Sequence, residues 1–181
     1  VAIRSDEDRA NDAFSRISGM PISYFKKARE IYPTGDESAV RIFLALRTAA
    51  RRVDAVVGTW LDEHGLSVTK FDSLHLIEAA EPEGASIGTL RDFLSMTQPN
   101  VTLVVQALER DGLATRHQDP SDRRATIVHI TPAGSALLSK LTPGYLKAMS
   151  HAMEGINERC RLAMIETLAD IAQGFEAVEH P

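Results

Sequence analysis

The sequence predicts a mainly α-helical fold with one small β-hairpin, and three observations carry that reading. Long stretches on both sides of the centre space their apolar residues by three and four, as amphipathic helices do. The centre, 86–111, holds two short apolar-periodic segments separated by a tight break. Directly after them come two β-competent runs, 113–117 and 125–130, joined by the turn-rich Gln118-Asp119-Pro120-Ser121-Asp122-Arg123-Arg124. At 181 residues and 44% hydrophobic, the chain is long enough to bury a core of its own.

Taken in order, 1–35 reads as an N-terminal extension. Val1 to Ile17 lacks strong periodicity and is expected to be mobile or weakly helical. Pro21 then precedes Ile22, Tyr24, Phe25, Ala28, Ile31 and Tyr32, a short amphipathic helix closed by Pro33. Asp36 can cap the next helix, which runs to His64 and stops at Gly65, a length of about 40 Å. Its seam is Val40, Phe43, Leu46, Ala50, Val53, Val57 and Trp60. A helix this long outruns one small lobe, so part of it should bury against something else. Ser67 to Glu81, with Val68, Phe71, Leu74, Leu76, Ile77 and Ala80, gives a helix to back the central pair, and Glu81-Pro82-Glu83-Gly84 a loop into it.

The central pair is specified closely. Ser86 can cap a helix with Ile87, Leu90, Phe93 and Leu94 on its apolar side. After the break at Ser95-Met96, Thr97 offers a capping hydroxyl, and Pro99 falls in the first turn, where a missing N–H is harmless. Val101, Val104, Val105 and Leu108 line one side of the second helix, and Asp111-Gly112 ends it. Two short helices across such a turn form a helix-turn-helix, and a following hairpin with basic residues near its tip makes it a winged helix. The second helix of such a unit enters the DNA major groove, and the hairpin reaches flanking backbone or minor groove. Beyond it, Thr131-Pro132 starts a helix with Leu137, Leu138, Leu141, Leu146, Met149 and Met153 as its apolar set and a kink expected at Pro143. Asn157 or Glu158 starts the last, with Leu162, Ile165, Leu168, Ile171, Phe175 and Val178 facing inward.

The run Asp119-Pro120-Ser121-Asp122-Arg123-Arg124-Ala125, followed by Ile130-Thr131-Pro132-Ala133-Gly134, resembles the wing signature of the MarR (multiple-antibiotic-resistance regulator) family. Val101-Thr102 through Leu108-Glu109-Arg110-Asp111-Gly112-Leu113 is similar to that family's recognition helix and its exit. With the flanking helices, the resemblance covers about Glu37 to Val178. It implies one MarR-like domain over 36–181, in which 36–65 and 132–181 are dimerisation helices. The stretch 67–131 is then the DNA-binding lobe, with 113–130 as its wing. It also implies an obligate homodimer presenting two reading heads to a pseudo-palindromic double-stranded operator, with half-sites about one helical turn apart. The aromatics of the extension would then pack on the dimer helices or cover an effector pocket.

Charge does not announce a DNA binder. The chain carries a net charge of −5, and between Ser86 and Gly134 five arginines face five acids. Phosphate binding needs local, correctly placed cations rather than a basic pI, so weak non-specific affinity is expected. At 100° per residue, Pro99, Leu103, Gln106 and Arg110 lie opposite the buried side of the recognition helix, with Gln98, Asn100 and Thr102 on its flanks. Gln98, Asn100 and Gln106 can pair with base edges, best with adenine, while Thr102 and Leu103 can meet a thymine methyl. Ser95 and Thr97 suit phosphate at a helix start. The family commonly has a basic residue where this chain has Leu103, a departure that points to an A·T-biased operator. In the wing, Asp122 and Arg123 resemble the family's bracing pair. Arg123 or Arg124 is the arginine expected in the minor groove, and Arg116 and His117 are further phosphate candidates.

The resemblance further implies a small, often aromatic or phenolic, effector bound between the dimer helices and the reading head. Trp60, His64, Phe71 and His75 suit such a cleft, each pair one helical turn apart. The same residues are also what an ordinary core would hold. Metal sensing is disfavoured, since the six histidines show no close pair at helical spacing and Cys160 is the single cysteine. Without a Gly-rich phosphate loop, a nucleophile elbow or a ligand cluster, neither catalysis nor a cofactor is expected. No apolar run reaches the roughly 18 residues of a membrane span, and the acidic, polar N-terminus is unlike a signal peptide, so a cytoplasmic protein is expected. The expected function is a ligand-released transcriptional repressor. The alternative is a winged-helix architectural or protein-contact DNA binder without an effector.

Overall fold

The computed structural model describes residues 5–19, 21–31, 36–119, 125–176 and 178. The fold is mostly helical with one small antiparallel sheet: α1 (Asp6–Ser18), α2 (Ile22–Ile31), α3 (Glu37–Asp62), α4 (Val68–Ala79), β1 (Ala85–Ser86), α5 (Ile87–Leu94), α6 (Gln98–Arg110), β2 (Ala114–Gln118), β3 (Thr126–Ile130), α7 (Pro132–Ala152) and α8 (Glu158–Glu176). The chain divides into two compact units, residues 1–73 and 74–181.

In the first unit, α1 corrects the expectation of a mobile or weakly helical N-terminus. Ser5 and Asp8 close a capping box, Asp6, Glu7 and Asp8 fill the first turn, and Gly19 ends the helix at φ 69°. Its apolar residues Ala10, Ala13, Phe14 and Ile17 fall at helical spacing, Phe14 is buried, and α1 packs on α3. Asn11 accepts from Arg41 of α3, and Arg52 donates to the carbonyl of Arg16. The aromatic side chains of α2 lie outside the described residues. On α3, Asp36 caps through Ser38 and Ala39 as expected, and Gly65 takes a left-handed φ of 71° just past the helix. The seam of α3 is only partly internal: Val57 is buried, whereas Val40 and Val53 are exposed. Leu61, Leu66 and Phe71 complete the buried set of this unit. Ser73, a buried polar residue, donates to the carbonyl of Thr69 at 2.7 Å.

The second unit holds the end of α4, the sheet, α5, α6, α7 and α8. Its core is Leu74, Ile77, Ala85, Leu90, Val101, Val105, Leu108, Ala114, Val128, Leu138 and Leu141. The hairpin forms where the sequence places it, with Ala114 opposite Ile130 and Gln118 opposite Thr126. A third strand was not foreseen. Ala85 and Ser86 pair with Val128 and Ile127, giving the order β1-β3-β2. Two residues leave no period to read, so the strand is set by its partner rather than by its own pattern.

Two glycines fix close approaches in this unit. A Cβ on Gly134, in the first turn of α7, would lie 2.3 Å from the carbonyl oxygen of Leu113. On Gly84, which has φ 77°, it would meet His129 and Ile127 at 2.6 Å. Thr131 caps α7 through the N–H of Gly134, and its own hydroxyl donates to the carbonyl of Gly112 at 2.7 Å. Helix α7 runs as one element through Pro143. Phe93 corrects the apolar set expected for α5, being 57% exposed while Leu90 is fully buried. The expectation for the last helix is corrected too. Leu162, Ile165, Leu168, Phe175 and Val178 are exposed, and α8 has no buried residue.

Candidate nucleic-acid interface

The interface begins with the turn between α5 and α6. Ser86 caps α5 by accepting from the N–H of Thr89. At the other end Ser95 takes the left-handed conformation, φ 50°, and its N–H closes on the carbonyls of Arg91 and Asp92. Few non-glycine residues adopt that geometry, and it reverses the chain within Ser95 to Thr97. Thr97 stands at the N-cap of α6, but its hydroxyl makes no capping bond, contrary to the expected hydroxyl cap. With Pro99 in the first turn, the remaining first-turn N–H groups carry the positive end of the helix dipole at this corner.

Burial divides α6 into two faces. Val101, Val105 and Leu108 are buried, and Val104 is half-buried. Gln98, Pro99, Asn100, Leu103, Gln106 and Arg110 are exposed, so the structure brings these candidates together along one outward face. Thr102, at its edge, is half-buried and donates its hydroxyl to the carbonyl of Gln98 at 2.9 Å. Arg110 Nε lies 3.9 Å from the Asp111 carboxylate.

Behind that face the wing is braced at two points that the sequence reading missed. Arg116 of β2 pairs with Glu109 of α6 at 2.6 Å, so this phosphate candidate ties the wing to α6. On the other edge, Glu81 accepts from the N–H of Ile130 at 2.9 Å and contacts His129 Nδ1 at 3.1 Å. Burial pushes the Glu81 carboxyl up, but the bonds from His129 and Ile130 and the His129 charge outweigh it, holding the group below its ordinary 4.5. His117 reaches Thr115 Oγ1 through Nε2 at 3.2 Å, and its ring meets that of His129 edge-on at 5.6 Å. A cleft of about 200 Å³ lies where the wing base meets the two helices, lined by Ser86, Gly88, Arg91, Gln98 and Thr126 among others. Asp122, Arg123 and Arg124, expected to brace the wing and enter the minor groove, lie outside the described residues.

The effector candidates fall in both units. In the first, Trp60 meets His64 edge-on at 5.6 Å and Phe71 edge-on at 6.5 Å, with Phe71 fully packed. In the second, His75 Nε2 lies 3.3 Å from Thr142 Oγ1. Among the described residues no group of three or more His, Cys, Asp or Glu is arranged to hold a metal ion. Cys160 is exposed, near the start of α8. No helix of the described residues is long and apolar enough to cross a membrane.

Comparison with known proteins bears on the whole arrangement. A MarR family model matches residues 64–125, which include α4, both central helices and β2. The HTH-type transcriptional repressor YetL of Bacillus subtilis (strain 168) is 26% identical over 142 residues, covering 78% of this chain and 85% of that protein. The crystal structure of a MarR-family transcriptional regulator from Silicibacter pomeroyi matches with a TM-score of 0.62 at 28% identity, over 76% of this chain and 91% of that one. The fold is shared with Bordetella bronchiseptica BpsR, at a TM-score of 0.63 and 23% identity over 73% of this chain and 98% of the other. The BpsR structure addresses the regulation of its DNA binding by 6-hydroxynicotinic acid. The winged helix-turn-helix geometry and these matches lead to one conclusion: the chain is similar to MarR-family transcriptional regulators, most directly through the helices and strand of residues 64–125.

Proposed function

We propose that the chain is a transcriptional repressor that grips a pseudo-palindromic operator as a homodimer and lets go when a small aromatic molecule binds. The observation that carries the DNA half of this reading is the outward face of α6, which offers three side-chain amides beside a wing braced to the same helix. Gln98, Asn100 and Gln106 read base edges. Ser95, Thr97 and the first-turn N–H groups of α6 hold phosphate, and Arg123 or Arg124 carries the wing to the minor groove. Arg116 acts by positioning the wing through Glu109.

The homodimer rests on α8. Leu162, Ile165, Leu168 and Phe175 are between 41% and 63% exposed, an apolar stripe that a single chain leaves in water. A second copy covers it and sets two recognition helices at half-site spacing. The effector half rests on Trp60, His64 and Phe71, an apolar wall with a ring nitrogen, and on the shared fold of BpsR, whose DNA binding is regulated by an aromatic acid. A ligand that favours a different separation of the two heads lowers affinity because both half-sites can no longer be engaged together.

Fluorescence anisotropy tests this with a duplex from upstream of the chain's own gene, a scrambled duplex and a salt series. The expected result is strong preference for the native duplex, lost on adding an aromatic carboxylic acid from a small panel. Equal binding to both duplexes with a steep salt slope would favour the architectural alternative.

A further inference from the structure

Leu103 sits at the centre of the outward face of α6, 63% exposed, where a soluble helix ordinarily carries a polar group. Its surroundings deepen the oddity. Thr102 beside it has its hydroxyl proton committed to the Gln98 carbonyl, so it offers the bases no free donor. The one arginine on the exposed face, Arg110, stands at the helix end beside Asp111. Among the described residues, the middle of this face therefore has no cation to bid for a guanine edge. It has an apolar centre between the amides of Asn100 and Gln106. In the major groove only thymine presents a methyl group, and adenine presents the donor and acceptor pair that an amide matches.

We propose that Leu103 is a specificity-determining residue that packs on the C5-methyl of one thymine in each half-site, with Asn100 and Gln106 reading flanking adenines. This rests on the reading of α6 as the recognition helix. The contact is hydrophobic, adds no charge, and so discriminates sequence without raising non-specific affinity. Because Leu103 is exposed, shortening it does not disturb the core that holds α6 in place.

The test starts from duplexes selected for binding from a random pool, followed by a scan replacing each thymine singly with deoxyuridine, which removes only the methyl. Burying a methyl is worth about fourfold in affinity, so one symmetry-related pair of positions should weaken binding about fourfold singly and about sixteenfold together. Leu103→Ala should bind the thymine and deoxyuridine duplexes alike, and Leu103→Met should keep the preference. Sequence-specific binding without such a position, or a methyl preference that survives in Leu103→Ala, overturns this inference while leaving the operator-reading function intact. Failure to select any sequence overturns both.

Discussion

Gly134 and Glu81 both hold the base of the wing, Gly134 against Leu113 and Glu81 against His129 and Ile130, and each makes a separate prediction. Gly134 brings the start of α7 against the Leu113 carbonyl so closely that any Cβ strikes backbone, which cannot swing away. Gly134→Ala should therefore destabilise the protein by about 1–3 kcal/mol, as overpacking does, measured by urea denaturation. Gly58→Ala is the control. Its Cβ would meet Val68 at an ordinary 3.8 Å, and the helix gain of up to about 1 kcal/mol should leave it neutral or more stable. Equal losses for both would mean that the close approach is not what matters. Glu81 binds fewer protons in the folded chain than in the unfolded one near its titration range, because its folded value lies below the ordinary 4.5. Its contribution is thus complete above that value and is lost as pH falls through the lower, folded one. Glu81→Gln should cost about 1 kcal/mol at neutral pH, and the gap from the parent should narrow below pH about 4.5. A gap constant from pH 7 to pH 3 would show that the carboxylate charge is not its source. Neither role was legible as such. Glu81 reads as one acid in a loop and Gly134 as part of a motif, since the partners of Glu81 lie 48 and 49 residues away and the neighbour that Gly134 meets is the Leu113 carbonyl, on the far side of the hairpin.

At the scale of elements, strong local punctuation made α3, α5, α6 and the hairpin readable: Asp36, Ser86, the Ser95 turn, Pro99 and Gly112 each act on their immediate neighbours. Strand β1 and helix α1 were not read, for opposite reasons. The strand is too short to have a pattern. The helix is fixed by a capping box, by Phe14 docking on α3 and by bonds from Arg41 and Arg52, while its apolar positions Ala10, Ala13, Phe14 and Ile17 are half alanine and sit among charges, a weak signal in sequence. The Glu109–Arg116 pair joins two elements that the sequence describes separately. Both side chains are about one-third exposed, so the coupling should be modest, about 0.5–1 kcal/mol in a double-mutant cycle of Glu109→Gln and Arg116→Gln. Hydrogen exchange should quicken in β2 in either single variant. Unchanged exchange there would mean that the pair does not hold the strand to α6.

At the scale of the molecule, the apolar residues of α8 were expected to face inward, and in one chain they do not. Their spacing was legible, but the surface that covers them was not, because a sequence shows that a face is apolar without showing what buries it. On the homodimer reading proposed above, a second copy would account for both the spacing and the exposure. Ile165→Glu should then shift the protein to monomer in sedimentation velocity without unfolding it. Operator affinity should fall by orders of magnitude, since each lone head keeps only half of the site. A variant that stays dimeric would place the interface elsewhere.

If two winged lobes in one dimer read one symmetric site, footprinting of a selected duplex, with its stoichiometry determined in parallel, shows it. Two protected half-sites about one helical turn apart, with two chains per duplex, are predicted. Protection of a single half-site by one chain, or uniform protection regardless of sequence, would rule out a dimer reading a symmetric site.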